Sequence, residues 1–383
     1  MPQTSLIDPV DLARELIRRP SVTPADAGAM DVVQVALTAL GFTCRRMKFG
    51  EIENLYARLG TSGRNLCFAG HTDVVPVGDA AAWSKPPFGA EISDQTLWGR
   101  GAVDMKSAIA AFIGAVSQSL NSGAVKGSLS FLITGDEEGQ AVDGTRAMVE
   151  QLLAEGEVID HCLVGEPTSS RRLGDMIKVG RRGSLNAWIT VEGVQGHVAY
   201  PDRAANPIPV LTRLLSRLDA HVLDNGYPEF QPSNLELTEI EVGNPAQNVI
   251  PARARARLNI RFNPNHKGAD LIRWLQSECE TAARDFKGSL SLDPAISGEA
   301  FHTAPDAFVH MCAEAIKAEL GETADLSTTG GTSDARFIRN LCPVIEFGLV
   351  GTTMHMVDER VPVSEVQALS RVYRRIIEGY FAG

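Results

Sequence analysis

Four short apolar runs do most to limit how this 383-residue chain can fold: Asn65 to Ala69, Ser128 to Thr134, Asp160 to Val164 and Val344 to Val350. Each has strand-like length and carries Gly at or near its end. Between them lie helical patterns such as Ile109, Phe112, Ile113, Val116 and Leu120, spaced for one buried face. Strands alternating with helices predict an α/β fold with a mixed, mostly parallel sheet covered by helices on both faces. A helix is expected to start at Asp8-Pro9, with Asp as cap and Pro in the first turn, and to end near Arg19-Pro20.

The stretch from 184 to 295 has a different pattern. Leu185 to Val191 reads as a strand, and a helix capped by Asn206-Pro207 carries Val210, Leu214, Leu215 and Leu218. From Ala252 to Phe262 small and apolar residues alternate with Arg253, Arg255, Arg257, Asn259 and Arg261, the mark of a half-exposed antiparallel strand. A second helix near 269–286 and a strand at 289–292 complete an α+β unit. The expected organisation is therefore an α/β domain from 1–183 and 296–383, interrupted by an inserted α+β domain at 184–295.

Charge and cysteine usage exclude several classes. With 36 Lys plus Arg against 47 Asp plus Glu, the net charge of -11 argues against nucleic-acid or anionic-membrane partners. The N-terminal segment shows no basic start followed by an apolar run, and the apolar runs are shorter than a membrane span. Six scattered cysteines form no CxxC pair and read as buried free thiols. A cytoplasmic protein is expected.

The residues that follow the four runs carry the chemistry. They are Gly70-His71-Thr72-Asp73, Gly135-Asp136-Glu137-Glu138-Gly139, Gly165-Glu166-Pro167-Thr168 and, after the last, Met354-His355-Met356. Ligand sites in open α/β sheets lie beyond the carboxyl ends of the strands, so one rim should collect them. The loop Trp98 to Lys106, entering the long helix, adds Asp104. Singly, each has an ordinary structural reading: a solvated His, a surface acidic pair, a helix cap. Jointly, His71, Asp104, Glu138, Glu166 and His355 suit zinc or a similar divalent ion. Five ligands exceed what one tetrahedral ion uses, whereas two ions sharing a carboxylate would use all five, an arrangement suited to hydrolysis. Glu137 then remains as a general base. His161, His221, His266, His302 and His310 have no such setting. The stretch Gly99-Arg100-Gly101-Ala102-Val103-Asp104 matches a dinucleotide fingerprint poorly, and GxxxxGK[ST], HExxH and GxSxG motifs are absent.

These motifs resemble the metallopeptidase family of aminoacylases, carboxypeptidases and deacylases, over nearly the whole chain. Gly180 to Ser184, Gln195 to Pro201, Asn248 to Pro251 and Gly330 to Phe337 add to the likeness. The resemblance implies a zinc-exopeptidase-like fold whose inserted domain acts as lid and dimerisation domain. It also implies an amide hydrolase acting on an N-acylated diamino diacid; another family deacylase or a non-catalytic metal-binding protein are the alternatives. By the same resemblance His71 and Glu166 hold one zinc, Glu138 and His355 the other, with Asp104 bridging and cobalt an alternative metal. Asp73 would orient the His71 imidazole, and Glu137 would take a proton from water and pass it to the leaving amine. In a homodimer His197 and Asn248 would cross to the partner's site, His197 to stabilise the oxyanion. Lys178, Arg181, Ser184, Tyr200, Arg261 and Thr332 match positions that grip the substrate. One departure is Gly351, where relatives often carry Asn.

Overall fold

The computed structural model describes residues 6–382; residues 1–5, on which the reading of the N-terminus partly rests, and 383 lie outside the described residues. Two sheets are built, in chain order, from β1 (Thr43–Phe49), β2 (Ile52–Leu59), β3 (Asn65–His71), β4 (Ser128–Thr134), β5 (His161–Val164), β6 (Met176–Lys178), β7 (Gly183–Glu192), β8 (Asn234–Glu241), β9 (Arg253–Phe262), β10 (Ser289–Gly298), β11 (Asp325–Ser327) and β12 (Val344–Glu346). The larger helices are α1 (Pro9–Ile17), α2 (Ala29–Ala39), α3 (Lys106–Asn121), α4 (Thr145–Ala154), α5 (Pro207–Asp219), α6 (Gly268–Ala283), α7 (Ala307–Leu320) and α8 (Val363–Ala382). Among the described residues no helix is long and apolar enough to cross a membrane.

The chain divides into two compact units: unit 1 comprises 1–179, 303–327 and 333–383, and unit 2 comprises 180–302 and 328–332. Unit 2 thus starts and ends outside the expected limits of 184 and 295. The physical reason is pairing: β10 runs on to Gly298, and Phe301–His302 pairs with Gly180–Arg181.

Unit 1 contains an eight-stranded mixed sheet in the order β1-β2-β4-β3-β5-β12-β6-β11. β3 is parallel to β4 on one side and β5 on the other, and β12 continues parallel to β5. β1, β2 and the β12–β6 contact are antiparallel. The order of connections reverses at β3, because the chain reaches β4 through α3 and then returns past β3 to β5. Every residue of β3 and β4 is buried, so both sheet faces are covered there, which is why these strands read as continuous apolar runs. α3 packs with α1 and α8, and Phe68, Phe112, Phe131 and Tyr373 interlock between sheet and helices. Asp8 caps α1 as expected, its Oδ1 accepting from the N–H groups of Val10 and Asp11.

Unit 2 contains an antiparallel sheet ordered β8-β9-β7-β10, covered on one face by α5 and α6. Its core joins Leu185, Ile189, Val191, Leu214, Leu218, Leu258, Ile260, Phe262 and Leu275. The alternation of β9 is observed from Ala254 on; Ala252 is exposed, with its carbonyl accepting from the Gly193 N–H. The arginines of β9's other face are ion-paired: Arg253, Arg255 and Arg257 lie 3.1, 2.5 and 3.3 Å from Glu192, Glu241 and Glu239. Two of those carboxylates belong to β8, a strand that the sequence pattern does not announce.

The run from Val344 is a strand only to Glu346, after which Phe347, Gly348 and Leu349 continue as buried irregular chain. Gly348 is required there by a close approach, since a Cβ would lie 2.4 Å from the Glu166 carbonyl oxygen and 2.6 Å from that of Gly165. Both obstacles are backbone and cannot swing aside. Gly348→Ala is expected to lower the unfolding free energy by about 1–3 kcal/mol, as overpacked cores do. Denaturant unfolding checks this, and an unchanged midpoint would show that the two loops have room to part.

Candidate metal centre

Unit 1 brings together all five expected ligands. His71 ends β3 and is almost fully buried. Its Nδ1 bonds the Asp73 carbonyl oxygen at 2.9 Å, which aims Nε2 at Asp104 Oδ1, 3.1 Å away, with Glu166 Oε1 at 3.9 Å. The second carboxylate oxygen of Asp104 faces the other imidazole, with Oδ2 3.2 Å from His355 Nε2, and that nitrogen is 2.8 Å from Glu138 Oε1. Asp104 thus stands between two histidines with one oxygen toward each. Ligand atoms of His71, Asp104 and Glu166, and those of Asp104, Glu138 and His355, each gather within 4.8 Å.

Asp73 does contact the His71 imidazole, and through its backbone. Its carbonyl, rather than its carboxylate, holds the imidazole, and Oδ1 is 3.6 Å from Nδ1. The carboxylate instead accepts from the N–H groups of Glu137 and Glu138 at 3.2 and 3.0 Å, so it pins the turn that presents both glutamates. The turn after them is held by Asp136, which accepts from Val142 and Asp143.

Two further residues organise the site and escaped sequence reasoning. Glu359 is fully buried; its Oε1 accepts from the N–H groups of Val103 and Asp104, and its Oε2 from Gly101 N and Arg100 Nη1 at 3.0 and 2.7 Å. Arg100 in turn donates to the carbonyls of Met356, Pro76 and His355. This pair clamps the loop bearing Asp104 to the loop bearing His355. Neither residue has a spacing or motif that announces it. His355 itself sits at φ 61°, a left-handed conformation rarely adopted outside glycine, so the clamp also holds a strained backbone. At Gly351 an added Cβ would meet the Pro167 carbonyl oxygen at 3.0 Å, a tight contact.

The electrostatics fit divalent cations. Asp73, Asp104, Glu137, Glu138 and Glu166 are five carboxylates gathered around two imidazoles. Burial alone would depress His71, but its hydrogen bond to Asp104, with Glu166 and Asp73 nearby, holds its pKa well above the ordinary value. Hydrogen bonds to Asp104 and Glu138 raise His355 to about 10. Burial pushes Asp104 upward, yet the two imidazoles outweigh it and hold its carboxyl low. Glu137 is raised well above the ordinary range, by burial first and the charge of Glu166 second. Such a donor set, two imidazoles with a shared carboxylate and surplus negative charge, matches what a pair of borderline divalent ions requires.

The expected substrate residues are divided between the units. Lys178 belongs to unit 1, is buried, and donates from Nζ to Ser327 Oγ at 3.0 Å. In unit 2, Ser184 and Arg261 face each other across β7 and β9, and Arg181 donates to the Thr329 carbonyl in the segment that carries Thr332. His197, Tyr200 and Asn248 form a separate exposed group: His197 pairs with Val249, the Val198 N–H bonds the Asn248 carbonyl, and the Tyr200 ring is 5.7 Å from His197. Ser184 and Arg261 pair near the start of β7, whereas the His197 group follows the strand's end at Glu192.

Residues 67–379 match Peptidase family M20/M25/M40. A succinyl-diaminopimelate desuccinylase from Caulobacter vibrioides is 67% identical over 381 residues, covering 100% of this chain and 98% of that one. Among solved structures, the aminopeptidase PepT from Bacillus cereus aligns with a TM-score of 0.80 at 19% identity, over 99% of this chain and 100% of the other. The YXEP protein of Bacillus subtilis, described as a dinuclear metal-binding peptidase, aligns with a TM-score of 0.72 at 15% identity over 98% of each chain. At such identities the structural matches speak for the fold.

The geometry yields two expectations. Glu359→Gln leaves Arg100 buried beside a neutral partner and should cost about 3–5 kcal/mol of stability. It should also weaken metal binding roughly 10- to 100-fold, as loss of a ligand-supporting contact does; unchanged metal affinity would show that the clamp is not what fixes Asp104. Secondly, His71 and His355 hold protons at pH 7 in the metal-free chain, because both pKa values are raised, and metal binding must displace them. Apparent zinc affinity should therefore climb by about one to two decades per pH unit from pH 6 to 8, with proton release seen by calorimetry in two buffers. A pH-independent affinity would contradict this.

Proposed function

We propose that the chain, which belongs to Peptidase family M20/M25/M40, hydrolyses the amide of N-succinyl-LL-2,6-diaminopimelate to succinate and LL-2,6-diaminopimelate, in the biosynthesis of diaminopimelate and lysine. It is a hydrolase of that family, and the 67% identity along the whole chain to a desuccinylase is the observation that carries the substrate. Two zinc ions, or cobalt in one or both places, would be held by His71 and Glu166, by Glu138 and His355, and by Asp104 between them. Bound there, the ions would supply Lewis acidity toward water and the scissile carbonyl.

The chain's own residues supply the rest. Glu137, whose carboxyl burial and the charge of Glu166 hold well above its ordinary range, is suited to carry a proton. It takes that proton from the attacking water and returns it to the amine nitrogen that departs. Asp73 keeps Glu137 and Glu138 in the same turn, so the base and a ligand move together. Lys178, Arg181, Ser184, Tyr200, Arg261 and Thr332 offer cations and hydroxyls to the carboxylates of the substrate.

A homodimer is part of this reading. His197 and Asn248 lie on exposed chain after β7, away from the Ser184–Arg261 pairing at the strand's start, which supports their serving a partner's site, with His197 on the oxyanion. Unit 2 would then act as lid and dimerisation domain. A reducing, cytoplasmic setting is supported by six free cysteines, five of them buried.

The test is turnover of N-succinyl-LL-2,6-diaminopimelate against acetylornithine, after chelation and zinc return. The succinylated acid should be the faster substrate, activity should need the metal, and Glu137→Ala should lose about 10²–10⁴-fold in kcat with metal retained. Faster acetylornithine cleavage would overturn the substrate, and full activity in the variant would overturn the assigned base.

A further inference from the structure

Along the polar face of unit 2's sheet the arginines are neutralised one by one. Arg253, Arg255 and Arg257 each have a carboxylate within 3.3 Å. Arg261, on the same face of β9, breaks the series: its cross-strand neighbours are Ser184 and Asn234, and among the described residues no carboxylate pairs with it. A second guanidinium reaches the same place. Arg182, two residues before Ser184, donates from Nη1 to Asn234 Oδ1 at 2.9 Å, while its Nε is buried without an acceptor. The nearest carboxylate of β8, Glu236, is engaged by Asn234 Nδ2 at 3.0 Å and pairs with neither arginine. Burial and the charge of Arg261 both lower the Arg182 pKa, as expected for two cations held together without an anion. A fold that answers every other arginine of this face with a carboxylate has left an anion-sized deficit here.

We propose that Arg182 and Arg261 form a carboxylate-binding pair, and that Arg182 sets the demand for an acidic substrate by contacting one of its carboxylates directly. The inference rests on the reading above that the substrate is a polycarboxylate. A carboxylate offers about four lone-pair sites, enough to accept from both guanidiniums at once, and it relieves their mutual repulsion.

The test compares Arg182→Gln, Arg182→Lys and Asn234→Ala in the full-length enzyme with zinc bound. Arg182→Gln should raise KM for N-succinyl-LL-2,6-diaminopimelate about tenfold or more while kcat changes less than about threefold, the size of one charge-assisted hydrogen bond. Arg182→Lys, which keeps the charge, should fall between Arg182→Gln and wild type, and it remains informative should the glutamine variant fold poorly. Asn234→Ala frees the tether but keeps both cations, so its KM should stay near that of wild type. An unchanged KM in the Arg182 variants overturns the proposal; so does Asn234→Ala matching Arg182→Gln, because Arg182 would then merely brace a strand. If the wild-type chain prefers another acylated acid, the same comparison is run on that acid. A wrong functional reading thus shows in the wild type, and a wrong inference shows in the variants.

Discussion

The buried ion pair between Arg100 and Glu359 is the contact on which the centre depends. Asp104 has no regular element to hold it, since it lies in a loop just ahead of α3, and His355 lies in irregular chain with a left-handed backbone. What fixes both is a carboxylate that accepts three backbone N–H groups of one loop and a guanidinium that donates to the carbonyls of the other. A buried pair of this kind is seldom a net source of stability, because desolvation offsets most of the attraction. Its use here is positional: it ties together two loops that arrive more than 250 residues apart in the chain.

Around that clamp the sheet supplies the remaining candidate ligands from the ends of parallel strands. β3, β4 and β5 lie side by side, so His71, the Glu137-Glu138 turn and Glu166 emerge on one rim where the connections reverse. Close backbone packing then matters as much as charge. Gly348 lets the chain after β12 touch the Glu166 backbone, and Asp73 spends its carboxylate on the turn beside it. The crowding of acids is what makes the metal-free site proton-hungry.

Much of this could be read from residues alone, for definable reasons. β3 and β4 are buried on both faces, so they appear as unbroken apolar runs, and the ligands follow at fixed offsets. β9 declares itself by strict alternation. β8 does not, because it is an edge strand with Leu235 and Leu237 only half-buried and Ile240 exposed. Glu359 and Arg100 were silent because a single acid and a single base carry no period; only the folded loops reveal that they meet. Asp73 was legible in part: its spacing placed it beside His71, whose imidazole it holds, but could not tell that the carbonyl makes this contact while the carboxylate pins the neighbouring turn. The limits of unit 2 were set by two-residue pairings too short to register as pattern.

The split of unit 1 around an insertion has a consequence for synthesis. β12, which completes the sheet beside β5, and His355 are both encoded after unit 2. At roughly 5–20 residues per second, a ribosome needs on the order of 10–40 s to pass from β5 to β12. During that time the nascent chain exposes an unpaired apolar strand edge and an incomplete ligand set. A centre assembled from both sides of an insertion can therefore close only once the inserted residues have been made.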